Sequence, residues 1–207
     1  MIETVVSMGL AVDEAMEIRK NHLAPKVLTG KEKRICIVTG THGDELEGQY
    51  VCYEIIRRIN ENPSCLKGIV DVYPATNPLG VDCMTRGVPM FDLDLNRIFP
   101  GNEHGHMAEY AASKIIEDIA GADVCIDIHA SNVFLREIPQ VRINEQTVDT
   151  LLPLAKELNV DYIWIHAAAT VLESTLAYSL NVRNTPTLVV EMGVGLRITE
   201  SFCHQLT

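Results

Sequence analysis

The segment 34–45, RICIVTGTHGDE, decides the fold of this 207-residue chain. Its apolar run over residues 34–40 predicts a β-strand buried on both faces, because a half-exposed strand would alternate apolar and polar residues. A glycine-containing turn then leads into residues 44–62, where apolar side chains recur at helical spacing. A buried strand followed directly by an amphipathic helix is typical of α/β proteins.

The same alternation of apolar runs and amphipathic stretches continues along the chain. Further buried strands are predicted at residues 69–74, 124–129, 162–166 and 187–191. Further helices are predicted at residues 105–120 and 147–159. Residues 3–10 and 14–21 carry a weaker β pattern, which indicates a hairpin at the edge of the sheet. We therefore expect one α/β domain over residues 1–207.

Charge and composition exclude several classes of function. The chain has 28 acidic and 17 basic residues, a formal net charge of −11, so it lacks the basic surface that nucleic acids or anionic membranes require. No apolar run is long enough for a membrane helix, and no signal peptide pattern opens the chain. The six cysteines form no CxxC pair, and Cys36 and Cys125 lie in apolar runs typical of buried thiols. We expect a cytoplasmic protein without a disulfide framework.

Residues 75–101 and the end of the chain stand apart from the regular pattern. The first stretch is rich in Pro, Gly, Asn and Asp, and a loop of that length in a compact domain is usually functional. At the end, Thr199 could cap a helix with Phe202, Cys203 and Leu206 on one face. That helix has no end signal before Thr207, so we expect a truncated protein.

His42 and Glu45 follow the first buried strand and are the first candidates for chemistry. In open α/β sheets, ligands bind at the carboxyl ends of the strands. A histidine and a glutamate three residues apart can together reach one zinc ion. The alternative is an exposed histidine in a turn beside a glutamate that the helix dipole favours.

The same spacing occurs at His106 and Glu109, and chance alone predicts about one such pair in a chain with seven histidines and 28 acidic residues. This second pair begins a predicted helix with Glu103 and His104 nearby, and no strand leads into it. We therefore interpret it as a solvated helix face.

Two further strand ends bring candidate residues to the same edge of the sheet. His129 closes the run VCIDIH, and two histidines with one glutamate form a catalytic zinc set that leaves a position for water. Glu191 closes the run TLVVE and could act as a general base, then return the proton to a leaving amine. The alternatives are a hydrogen-bonded histidine at a strand end and a carboxylate that caps a neighbouring helix.

Arg86 and Arg97 lie in the long loop and are the only arginines between Arg58 and Arg136. A guanidinium group binds carboxylates through two parallel hydrogen bonds, and near a metal it can stabilise an oxyanion. For each arginine the alternative is a surface ion pair with Asp92, Asp94 or Glu103.

Together these motifs resemble one enzyme family. They are HGDE at 42–45, Asn77-Pro78, Arg86, DLNR at 94–97, DIH at 127–129 and Glu191. Their combination and order closely resemble the succinylglutamate desuccinylase and aspartoacylase family of the zinc carboxypeptidase superfamily, over residues 35–206. The resemblance implies a mixed, mostly parallel sheet with helices on both faces.

The resemblance also implies roles for individual residues. His42, Glu45 and His129 would hold one zinc ion, and Glu191 would be the general base. Arg86 would polarise the scissile carbonyl. The remaining implied roles are a substrate-carboxylate site at Asn96 and Arg97, and a second carboxylate, Asp94, that orients His42.

The expected function is therefore hydrolysis of the amide bond of an N-acyl amino acid or a related small anionic carboxylate. A zinc carboxypeptidase acting on short peptides would use the same residues, and a metal-binding α/β domain without activity is a third hypothesis. Family members usually continue into a C-terminal β-rich domain, which we expect to be absent or truncated here. The pocket is then either completed by the missing part of the chain, left open, or closed by another copy in a homo-oligomer.

Overall fold

The computed structural model describes residues 1–167 and 172–207, and its centre is one eight-stranded sheet. The strands are β1 (Ile2–Gly9), β2 (Ala15–Leu23), β3 (Arg34–Val38), β4 (Ile69–Tyr73), β5 (Val124–His129), β6 (Glu137–Asn144), β7 (Tyr162–His166) and β8 (Thr187–Gly193). Their order across the sheet is β1-β2-β4-β3-β5-β8-β6-β7. Strands β4, β3, β5 and β8 pair in parallel, as do β6 and β7, whereas β1, β2 and the β6–β8 pair are antiparallel. The predicted mixed, mostly parallel sheet is confirmed.

Helices cover both faces of the sheet, also as predicted. They are α1 (Glu47–Glu61), α2 (Pro78–Cys83), α3 (Met107–Ile119), α4 (Val148–Ala155), α5 (Leu176–Asn181) and α6 (Glu200–Leu206). Alternation along β3 shows how the sheet divides the core. Cys36 and Val38 pack with α3 and α5 on one face, while Ile37 packs with α1, α4 and α6 on the other. No helix among the described residues is long and apolar enough to cross a membrane.

Most predicted elements occur close to their expected positions. The weak pattern at the start of the chain is a hairpin, with β1 at the edge of the sheet. Cys36 and Cys125 are fully buried, as their apolar surroundings indicated. The C-terminal helix is present and Cys203 is its buried residue.

Five details differ from the sequence prediction. Strand β7 is predicted to be buried, but it is the last strand of the sheet and is mostly exposed. Strand β6 and helix α5 are not among the predicted elements, because Pro139 interrupts the alternating pattern of β6 and α5 has only six residues. Helix α4 ends at Ala155, four residues early, after Pro153 has removed one backbone donor. Thr199 holds the N-cap position of α6, but its side chain makes no capping hydrogen bond.

The long loop contains more structure than expected, and α2 within it supports the turn after β3. The helix starts with Pro78, and the Asn77 side chain accepts a hydrogen bond from the Gly80 backbone N–H at 3.0 Å. Gly43 packs directly on Gly80, so closely that a Cβ atom at Gly43 would lie 1.9 Å from the Gly80 carbonyl carbon. The turn that carries His42 therefore needs glycine at position 43.

Gly43→Ala tests this close approach. We expect the variant to lose about 1–3 kcal/mol of unfolding free energy, because the added methyl group must push two backbone segments apart. Denaturant unfolding measures the loss. Gly9→Ala is the matched control, since a Cβ atom there meets no other atom within 4 Å. Equal stability of Gly43→Ala and Gly9→Ala would show that the two backbone segments are not in contact.

Candidate active site

Three buried side chains meet where the strand order changes direction. The chain passes from β3 to β4, which pairs with one side of β3, whereas β5 pairs with the other side of β3. Loops leaving the carboxyl ends of β3 and β5 therefore diverge, and such a switch point forms a crevice. His42 and Glu45 come from the turn after β3, and His129 is the last residue of β5.

Glu45 lies between the two histidines. Its Oε1 is 2.7 Å from Nδ1 of His42, and its Oε2 is 2.9 Å from Nδ1 of His129. The Ala130 backbone N–H also donates to Oε2, at 3.0 Å. All three side chains are at most 5% exposed. One potential ligand atom from each residue lies within 4.8 Å of the other two.

Each histidine also has a second carboxylate close to its other ring nitrogen, Nε2. Nε2 of His42 is 3.0 Å from Oδ1 of Asp94, and Nε2 of His129 is 3.1 Å from Oδ2 of the fully buried Asp127. Metal-binding histidines in proteins are usually oriented by such a carboxylate on the outer ring nitrogen. Asp94 thus lies where the resemblance placed it. Asp127 is part of the DIH motif but has no role in the sequence prediction, although its position two residues before His129 places it on the same strand face.

The negative charges around the histidines shift the pKa values of the whole group. Burial alone would lower the pKa of His42, but its hydrogen bonds to Asp94 and Glu45 raise it. Burial also opposes protonation of His129, yet the charges of Asp127 and Glu45 raise its pKa well above the ordinary value. Conversely, the histidines hold the pKa of Glu45 well below its usual range despite burial. The pocket therefore favours positive charge between these three side chains.

This donor set fits a divalent metal ion. Two imidazole nitrogens and a carboxylate oxygen converge from three backbone positions, and carboxylates support both outer ring nitrogens. His42, Glu45 and His129 are thus the residues that could hold a metal, and zinc accepts such a set. By contrast, the exposed His106 begins α3, where its backbone N–H donates to Glu109 at 2.9 Å. This pair belongs to the helix surface, as its sequence context indicated.

Glu191 lies on β8, beside the histidine of β5. Its register partner on β5 is His129, so both side chains reach the same edge of the sheet. Burial raises the pKa of Glu191 to about 7, although the positive charges of His129 and Arg142 act in the opposite direction. Nη1 of Arg142 is 3.3 Å from Oε1 of Glu191. Glu191 does not cap a helix, and its carboxyl group can change protonation state near neutral pH.

Arg86 is bound to the acidic residues of the cluster. Nη1 of Arg86 is 3.1 Å from Oε1 of Glu45, and Nη2 is 3.2 Å from Oδ2 of Asp94. Burial alone would raise the pKa of Asp94, but His42 and Arg86 hold it well below the usual range. The ion pair with Asp94 proposed as the alternative for Arg86 thus occurs, at the mouth of the site rather than on a remote surface.

Asn96 and Arg97 line the same cavity, but Asn96 is buried and Arg97 is exposed. The Asn96 side chain is fixed through its Oδ1, which accepts from the Leu176 backbone N–H at 2.9 Å, while its Nδ2 lies 3.4 Å from Nε2 of His129. The guanidinium group of Arg97 donates to the Asn96 carbonyl oxygen at 2.8 Å, and the residue is exposed. Asn96 therefore anchors α5 to the site, while Arg97 can still approach a ligand.

One cavity of about 980 Å³ is lined by the three ligand candidates and by Arg86, Asn96, Arg97 and Glu191. From the His42–Glu45–His129 cluster it extends under β6, β7 and α5, where Arg142, Trp164 and Tyr178 form part of its wall. Its size is that of pockets that enclose a small organic molecule.

Comparison with known proteins gives relatives with this fold. A deacetylase of N-alpha-acetyl-L-2,4-diaminobutyric acid from Halomonas elongata is 29% identical over 114 residues, which is 55% of this chain and 33% of that protein. A succinylglutamate desuccinylase structure from Silicibacter sp. TM1040 superposes with a TM-score of 0.82 at 21% identity, covering 97% of this chain and 60% of that one. A succinylglutamate desuccinylase/aspartoacylase structure from Rhodobacter sphaeroides superposes with a TM-score of 0.77 at 23% identity, covering 93% of this chain and 56% of that one.

The chain thus spans about one third of the curated relative and less than two thirds of each of these solved chains. The family model of the succinylglutamate desuccinylase/aspartoacylase catalytic domain matches residues 31–206. This range includes every strand from β3 to β8 and all the site residues described above. The chain belongs to the succinylglutamate desuccinylase/aspartoacylase family.

Proposed function

We propose that this chain is the catalytic part of a zinc-dependent hydrolase that cleaves the amide bond of an N-acyl amino acid or a related small carboxylate. The observation that carries the proposal is the convergence of His42, Glu45 and His129 beside Glu191 in one cavity. A general base next to three metal ligands is the arrangement that metal-assisted hydrolysis requires.

His42, Glu45 and His129 would hold the ion, and Asp94 and Asp127 would orient the two imidazole rings. When bound, a zinc ion polarises a carbonyl group and makes water more acidic. Three protein ligands would leave a position open for water, as in catalytic rather than structural zinc sites. The negative charge that raises the histidine pKa values would then be balanced by the ion instead of by protons.

Glu191 would move the proton. Its carboxylate accepts a proton from the attacking water and then donates it to the leaving amine. A general acid and base works best when its pKa lies near the operating pH, and the pKa of Glu191 is about 7.

The arginines favour an anionic substrate. Arg97 is exposed at the cavity, where its guanidinium group would bind the substrate carboxylate, with Asn96 holding the adjoining wall. Arg86 lies against Glu45 and would stabilise negative charge on the scissile carbonyl oxygen. The name of the Halomonas relative, a deacetylase of an N-acetylated amino acid, agrees with this substrate class.

Zinc content tests the ligand set directly. We expect about one zinc per chain in the wild type and in His106→Ala, and almost none in His129→Ala, because only the last variant removes a ligand. Elemental mass spectrometry after zinc reconstitution and desalting measures the ratio. If the wild type binds no stoichiometric zinc, the proposed metal site is wrong. If His106→Ala loses as much zinc as His129→Ala, the zinc loss does not report on the proposed site.

Glu191→Gln tests the proton-transfer role. We expect the turnover rate to fall by about 10²–10⁴-fold, because the amide cannot accept a proton, while zinc content and unfolding free energy stay close to wild type. The hydrolysis rate is measured on zinc-loaded protein. Wild-type turnover by Glu191→Gln would disprove this assignment without affecting the metal site.

A substrate panel tests the reaction class. N-acetyl and N-succinyl amino acids are compared with dipeptides that have a free amino terminus, and amine release is measured. We expect release from the N-acyl amino acids and a KM increase of at least tenfold in Arg97→Gln, because a charge-assisted bond to the carboxylate is lost. Cleavage of dipeptides alone would favour a carboxypeptidase, and no release at all would favour a metal-binding domain.

A further inference from the structure

Arg142 lies on β6 in the wall of the cavity, and its guanidinium group joins two carboxylates. Nη1 is 3.3 Å from Oε1 of Glu191, and Nη2 is 2.7 Å from Oε1 of Glu137. The Arg142 side chain is 26% exposed and the carboxylates are 16% and 17% exposed. These contacts are therefore largely shielded from water, where ion pairs are stronger than at an open surface.

The sheet register explains how Arg142 reaches Glu191. Gln140 of β6 pairs with Glu191 of β8, and Arg142 is two residues further along β6. Side chains two residues apart lie on the same face of a strand, so Arg142 is a diagonal neighbour of Glu191. The contact is thus determined by two hydrogen-bonded strands of the sheet rather than by a flexible loop.

Trp164 fixes the other face of the guanidinium group. It is the register partner of Arg142 on β7, and the Arg142 guanidinium carbon lies 5.0 Å from the centre of its ring. An arginine stacked on tryptophan gains cation–π energy and loses rotational freedom. Arg142 is therefore held on three sides, by Glu191, Glu137 and Trp164.

We propose that Arg142 is a positioning residue that holds the Glu191 carboxylate through Oε1, so that Oε2 is left to exchange the proton. This inference rests on the function proposed above. The described residues form no hydrogen bond with Oε2, whereas Oε1 is bound to Arg142. Fixing one oxygen removes rotation of the carboxylate, and a misplacement of about 1 Å can cost 10²-fold in rate.

The charge balance argues against Arg142 as a substrate-binding residue. Its two Nη groups already face two carboxylates, so the three side chains together carry a net charge of −1 when the carboxylates are ionised. The Nε–H of Arg142 is buried and has no hydrogen-bond partner among the described residues, but a substrate carboxylate bound there would bring the net charge of the group to −2. Arg97, which faces no carboxylate at salt-bridge distance among the described residues, suits that task better.

Crystal structures of zinc-loaded wild type and Arg142→Met test the position of Glu191 independently of activity. Methionine keeps much of the length and the packing on Trp164, but it has neither the charge nor the donors. We expect the Glu191 carboxylate to rotate away from its wild-type position or to occupy several positions in the variant. A Glu191 carboxylate that stays in one wild-type position overturns the proposal, whatever the hydrolysis rates are.

Kinetics on an accepted substrate provide the second test. We expect Arg142→Met to lower kcat by about 10–100-fold with less than a threefold change in KM, since binding and zinc content are retained. Arg142→Lys should recover part of kcat, and free guanidinium ion should partly restore Arg142→Ala. Arg57→Met is the matched control, because Arg57 also bridges two carboxylates, Glu54 and Glu61, but on the outer surface of α1.

The results separate the inference from the function on which it rests. An inactive wild type would refute the proposed function, and the crystal structures would still decide whether Arg142 holds Glu191. An active wild type with unchanged kcat in Arg142→Met overturns the inference alone. A rise in KM without a fall in kcat also overturns it, because it would assign Arg142 to substrate binding.

Discussion

The pairing of the buried Glu45 carboxylate with His42 and His129 is the interaction on which the site depends. It joins the turn after β3 to the end of β5, through His42 on one oxygen and through His129 and the Ala130 backbone N–H on the other. A carboxylate this deeply buried is costly unless it is fully paired. Because the pairing uses both loops, each loop fixes the position of the other. Asp94 is hydrogen-bonded to the outer ring nitrogen of His42, and Asp127 lies 3.1 Å from that of His129.

The sheet provides the rigid frame for this pairing. Strands β3, β5 and β8 are parallel neighbours in its interior, so the residues at their carboxyl ends reach one edge at similar depth. Both faces are covered by helices, and the strands are held by hydrogen bonds and apolar packing on either side. Sites built on such strands are more precise than sites built on loops alone. Asp94 and Asn96 come from the long loop but are tied to the site by hydrogen bonds, whereas Arg86 and Arg97 on the same loop are more exposed, so a substrate can still shift them.

The strands and the metal-ligand candidates could be predicted from the sequence because their signals are local. A buried strand shows as an apolar run, and a polar residue at its end, such as His129, or two residues before its end, such as Glu191, stands out against it. The side-chain partners were much harder to predict. The amide oxygen of Asn96, the expected substrate ligand, accepts a hydrogen bond from the Leu176 backbone N–H, 80 residues away. No local pattern encodes such a contact.

Arg142 shows the same limit most clearly. Pro139 obscures the alternating pattern of β6, and without that strand the sequence offers no reason to place Arg142 beside Glu191. Only the pairing of β6 with β8 on one side and β7 on the other brings it between a carboxylate and Trp164. Strands β6 and β7, which lie beyond β8 in the sheet, thus contribute to the site. Through Arg142 they hold the Glu191 carboxylate in position, as Asp94 and Asp127 would hold the two histidines.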